Sequence, residues 1–90
     1  MSYEWDPVKA EINLFKHDVD FADAVAVFED EQVLWRDDVG DWEEERFVAV
    51  GMDHLSRVLI VVFTFRSEVV RIISARLATK QERATYEQSR

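Results

Sequence analysis

Ninety residues, 48% of them hydrophobic and 12% aromatic, suffice for one domain over residues 1–90 and exclude a second core or a disordered chain. The lack of cysteine excludes disulfides. The longest apolar run, Val58 to Phe63, is too short to cross a bilayer, and Met1-Ser2-Tyr3-Glu4 lacks the basic and apolar regions of a signal peptide, so a cytoplasmic protein without membrane contact is expected.

The net charge of −8 is unevenly spread: residues 1–45 hold 15 acids against Lys9, Lys16 and Arg36, while residues 46–90 hold seven arginines and Lys80 against four acids. A polyanion would therefore be met by the second half of the chain, against the pull of the total charge.

In chain order, Asp6 is a favoured N-cap and Pro7 suits the first helical position. Val8, Ile12 and Phe15, with Leu14 beside them, form a 3.6-residue stripe that predicts a helix to about His17. Asp18 follows, and Asp20 opens a second short helix with Phe21, Ala24, Val25 and Phe28 toward the core, ending at Glu29-Asp30-Glu31. Strands are expected at Gln32–Arg36, Arg46–Met52, Arg57–Phe65 and Val69–Leu77, with an exposed acidic loop over Asp37–Glu44 and turns at Asp53-His54 and Ser67-Glu68. Thr79, with Glu82 three residues on, is a capping box for a last helix to about Gln88. Short turns between consecutive strands imply an antiparallel meander. The expected class is α+β: two N-terminal helices packed on one face of a four-stranded antiparallel sheet, then a short C-terminal helix.

Two blocks bracket the chain: Trp5-Asp6-Pro7-x-Lys9-x3-Asn13-x2-Lys16-His17 and Arg71-Ile72-Ile73-Ser74-Ala75-Arg76. With Val19, Phe21, Ala24, Glu45-Arg46-Phe47, Gly51, Arg83 and Tyr86 between and after them, the ordered set resembles the BrnT family of bacterial toxins over nearly the whole chain. That resemblance implies a RelE-like fold, metal-independent RNA cleavage that inhibits translation, and neutralisation by an antitoxin of ribbon-helix-helix type. DNA would be bound only indirectly, through that antitoxin.

Cleavage by attack of the RNA 2′-hydroxyl on the adjacent phosphate needs cationic groups around the phosphate and, ideally, a base and an acid. Arginine suits the first task because its planar donors pair with phosphate oxygens. The resemblance makes Arg71, Arg46, His17, Arg76 and Tyr86 the catalytic candidates and Lys16 and Arg83 RNA-binding ones, and strand register adds Thr64 and Arg66 to the RNA-binding set. Competing structural roles are a solvated sheet-face charge for Arg71, pairing with local acids for Arg76 and Arg83, carbonyl capping for His17, and packing of the last helix for Tyr86. Strict alternation would set Arg71, Ile73 and Ala75 on one face of their strand and Ile72, Ser74 and Arg76 on the other. An even loop at Ser67-Glu68 brings Thr64 opposite Arg71 and joins both to Arg66 on the face away from the helices; an odd loop would place Arg71 with Phe63 and Phe65. The even loop is favoured. Trp5 is expected to staple the N-terminus to the core and Asn13 to hydrogen-bond a neighbouring segment, while Trp35 and Trp42 are candidate partner anchors. Two distant histidines make no metal signature, and no cofactor is expected.

Three residues depart from the resemblance. Asp18 replaces a common glycine, Leu77 a common lysine, and Phe63 a position that is often polar. Each removes polarity, charge or flexibility, so a catalytically weakened co-repressor subunit stands as the alternative.

Overall fold

In the computed structural model, which describes residues 1–40 and 42–89, β1 (Ser2–Glu4) leads into α1 (Pro7–His17) and α2 (Phe21–Ala24), which continues as a 3₁₀ turn over Val25–Glu29. Strands β2 (Leu34–Asp37), β3 (Phe47–Met52), β4 (Val58–Arg66) and β5 (Val69–Leu77) follow, then α3 (Lys80–Gln88). The expected antiparallel meander is present, but the sheet has five strands in the order β1-β5-β4-β3-β2, and β1 runs parallel to β5. Four antiparallel strands is therefore corrected to a five-stranded mixed sheet. Three residues are too short to show a period, so β1 is invisible to pattern alone.

Local chemistry sets the helix ends. The Asp6 carboxylate accepts from the amides of Val8 (2.8 Å) and Lys9 (3.3 Å). Asp18 takes a left-handed conformation (φ 56°) and returns its amide to the Leu14 carbonyl, a geometry that costs a side-chain-bearing residue more than glycine. At α3 the predicted capping box forms between Thr79 and Glu82.

The helices do not all lie on one face. Phe21, Ala24 and Val27 pack with Ala49, Leu59, Val61, Phe63, Val70, Ile72 and Ala75 on one side of the sheet. On the other, Tyr86 and Ala78 pack with Val48, Val58 and Ile60, so α3 covers part of the face opposite α2. On the α2 face Phe63 contacts Phe28, Trp35, Phe47 and Phe65, and Trp5 meets Phe21 edge-on as an N-terminal staple.

The apolar stripe of α1 faces outward. Val8, Ile12 and Phe15 are exposed, and the buried residue is Asn13. β1 covers β5 only from Val69 to Arg71, and α1 continues along the edge beyond. There the Asn13 amide donates to the carbonyls of Ala75 (2.8 Å) and Val19 (3.0 Å) and accepts from the Ala75 amide (3.1 Å). One side chain thus does the hydrogen bonding of a missing strand. Asp30 does similar work at the far edge, accepting from the Met52 amide (2.8 Å) while Tyr86 donates its hydroxyl to the same oxygen.

Candidate functional site

The Ser67-Glu68 loop has two residues, with Ser67 at φ 57°, and it sets Thr64 opposite Arg71 and Arg66 opposite Val69. The even register holds. Phe47 pairs with Phe63, so Arg46, one residue earlier, continues that register toward Thr64. Beyond β5, Glu4 pairs with Arg71. A row Arg46, Thr64, Arg71, Glu4 therefore crosses four strands on the α3 side of the sheet, at the end that the α3 core cluster does not reach. This corrects the expected face: it lies away from α1 and α2 but shares its side with α3.

A register shift between Val62 and Phe63 leaves Ile73 as an extra residue in β5. Ser74 pairs with Val62 and Arg76 with Ile60, so the bulge carries both onto the Arg71 face. Strict alternation had separated Arg76 from Arg71; the bulge unites them.

Each cation there meets an internal partner. Arg71 donates to Glu4 at 2.6 Å. Arg66 lies 3.9 Å from Glu44. Arg76 grips Glu82 through two hydrogen bonds of 2.8 and 3.0 Å, which, with the Thr79 amide, hold the Glu82 carboxyl down at about 2 and raise the Arg76 guanidinium above its ordinary value. Pairing of Arg76 with a local acid is thus the arrangement seen. Arg46 stacks over the Trp42 ring, 4.2 Å from its centroid, and its Nε is buried with no acceptor among the described residues. Trp42, Glu43, Glu44, Arg46 and Arg66 line one cavity.

The other candidates are placed differently. Thr64 is buried and donates its hydroxyl to the Glu45 carbonyl at 2.5 Å, so it ties down the segment bearing Arg46. His17 and Lys16 are exposed at the end of α1 and line a groove with Lys9, Ile12, Asn13, Ile73 and Ser74. Ser74 joins that groove to the Arg71 face. Arg83 lies with Met52, Ser56, Arg57, Val58, Leu77 and Glu87, at the opposite end of the strands from Arg46, and is not brought together with the row. Tyr86, a catalytic candidate, is only 1% exposed, packs α3 against Val48, Val58 and Ile60, and donates its hydroxyl to Asp30, the competing structural arrangement. Among the departures, Phe63 sits in the core on the other face and Leu77 is about half exposed, so Phe63 does not alter the arginine face.

Glu4 and Glu44 had no role assigned from sequence, and Trp42, expected as a partner anchor, instead carries the Arg46 guanidinium. No periodic signal could have marked Glu4, because β1 spans only three residues. Among the described residues no group of three or more histidine, cysteine or acidic side chains is arranged for a metal ion, and no helix is long and apolar enough to cross a membrane.

A family model described as "Ribonuclease toxin, BrnT, of type II toxin-antitoxin system" matches residues 5–82. The chain is also similar to the 1.1 Å crystal structure of the Brucella abortus ribonuclease toxin BrnT, with a TM-score of 0.65 and 26% identity over 89% of this chain and 99% of that one. No curated protein matches the sequence.

Proposed function

This chain belongs to the BrnT family of ribonuclease toxins of type II toxin–antitoxin systems, and from that premise we propose that it is a metal-independent endoribonuclease using the Arg46–Thr64–Arg71 row. The observation that carries the reading is the convergence of three separate strands, through a two-residue loop and a bulge, to place Arg46, Arg66, Arg71 and Arg76 on one sheet face. The RNA backbone lies across the row, with the phosphate under attack between Arg71 and Arg46. Their guanidinium groups neutralise the charge that builds on the nonbridging oxygens. Trp42 holds the Arg46 guanidinium by a cation–π contact, and Glu4 binds Arg71 through Nη1 alone, leaving the other edge of the fork for phosphate. His17, which shares its groove with Ser74, is the imidazole placed to transfer the proton. Lys16 guides the strand along the β5 edge. Cleavage inhibits translation, and a ribbon-helix-helix antitoxin neutralises it in the cytoplasm.

A second reading has its own support: Arg71, Arg66 and Arg76 all face internal carboxylates in a chain of net charge −8. In that reading catalysis is weakened, and the chain acts as a co-repressor subunit with a DNA-binding antitoxin.

Induced expression with and without the antitoxin, followed by incubation of the purified chain with RNA in EDTA, separates the two. Growth arrest relieved by the antitoxin, with EDTA-resistant cleavage, is expected. Intact RNA at high protein concentration, together with operator binding by the complex, would establish the co-repressor reading instead.

A further inference from the structure

Helix α1 buries its polar side and exposes its apolar one. Asn13 faces the sheet, whereas Phe15 is 93% exposed, Val8 64% and Ile12 50%. A single exposed apolar side chain needs no explanation. Three at positions i, i+4 and i+7 form a ridge along the full helix, the spacing by which one helix packs on another. Lys9 and Lys16 border the ridge on the Ile12 side and share a groove with Ile73 at the sheet edge; helical geometry puts Glu11 on the opposite border.

We propose that this ridge is the docking surface for the antitoxin, which enters as an amphipathic helix. The identity of the occupant rests on the toxin–antitoxin reading above; the surface and its chemistry come from α1 itself. The occupant's apolar stripe packs on Val8, Ile12 and Phe15. An acidic flank meets Lys9 and Lys16, and a basic residue on its other flank meets Glu11. A second copy of this chain packed antiparallel about a two-fold axis fits less well, because that arrangement sets the lysine border against itself and Glu11 against Glu11. Ile12 shares its groove with Lys16, His17 and Ser74, which links the ridge to the edge of the arginine face.

The test uses the full chain and its antitoxin, with affinity measured calorimetrically and RNA cleavage measured separately. Phe15→Glu and Ile12→Lys alter exposed side chains, so melting curves should match the parent. The expected result is affinity weakened about a hundredfold or more, with cleavage by the isolated chain unchanged. Glu11→Lys should weaken binding about fivefold. Unchanged affinity in Phe15→Glu and Ile12→Lys overturns the proposal, as does failure of the unaltered chain to bind the antitoxin. If Phe15→Glu converts a dimer to a monomer in light scattering while affinity holds, the ridge joins two copies and the proposal is likewise wrong. Loss of docking in the variants of a chain that never cleaved RNA supports this surface while removing the enzymatic reading.

Discussion

Replacing Arg71 with alanine separates catalysis from stability, because its contacts make the two costs unequal. The structural loss is one ion pair of 2.6 Å with Glu4, whose side chain is 40% exposed. A carboxylate that accessible is rehydrated when its partner leaves, so the pair is worth under about 1 kcal/mol. For a domain of this size that lowers the melting temperature by no more than about 4–8 °C. The catalytic loss is larger if Arg71 holds the phosphate: removing one such donor from a transition state costs about 3 kcal/mol, roughly a hundredfold in rate. Single-turnover cleavage of an RNA, run beside a melting curve and an antitoxin-binding measurement, reads all three quantities. Arg71→Lys should recover part of the rate, since it restores the charge but not the planar fork. Glu4→Gln should tighten RNA binding, because it removes the carboxylate competing for the guanidinium. Lys80→Ala, at an exposed position remote from the row, should change stability by less than about 0.5 kcal/mol and leave cleavage intact. Full cleavage by Arg71→Ala would refute the phosphate assignment. Unfolding of that variant would show instead that Arg71 is a structural member of the β1–β5 junction.

Asn13→Ala removes three buried hydrogen bonds and strands both backbone groups of Ala75; denaturant titration should show a loss of about 3 kcal/mol. Arg57 has the sequence pattern of an indifferent surface residue, yet it pairs at 2.9 Å with Asp53, whose side chain is fully buried, and donates to the Asp18 carbonyl. Arg57→Ala should therefore cost about 3 kcal/mol by leaving a buried charge unpaired, measured the same way. Arg90 lies outside the described residues. Because the folded-state pKa of Glu82 is lowered to about 2, chiefly by Arg76 and then by the Thr79 amide, its contribution is fully present above the ordinary carboxylate pKa. It fades as pH falls from about 4.5 toward 2; after screening by solvent it amounts to about 1 kcal/mol. Acid melts of Glu82→Gln should lack that component.

The long strands were legible because their apolar runs and turns carry a period, and the register of Thr64 with Arg71 followed from one even loop. The site was less legible wherever a local irregularity overruled periodicity. Ile73 looks like any other apolar strand residue, and nothing adjacent to it announces that pairing skips there. Arg76 therefore could not be assigned to the right face from alternation. The inverted packing of α1 has a related cause: its apolar stripe obeys the helical rule for burial, but the helix lies beside a strand edge whose backbone demands an amide. Tyr86 sits close in sequence to Arg83 and at the spacing of a shared surface, yet the distant Asp30 claims its hydroxyl. Contacts across 56 or 67 residues decide roles that neighbours in sequence cannot.

The parallel pairing of β1 with β5 also constrains when the protein becomes functional during its synthesis. Glu4 leaves the ribosome long before Arg71 has been translated, and it has no partner until nearly the whole chain has emerged. Closing so large a loop is among the slower steps of folding. Helix α1 has local caps at Asp6 and Asp18, but its Asn13 bonds to Ala75 wait for the same late strand. The anchoring of α1 and the arginine row thus both wait for β5, so the seated ridge and the RNA-facing row arise at the same late stage of synthesis.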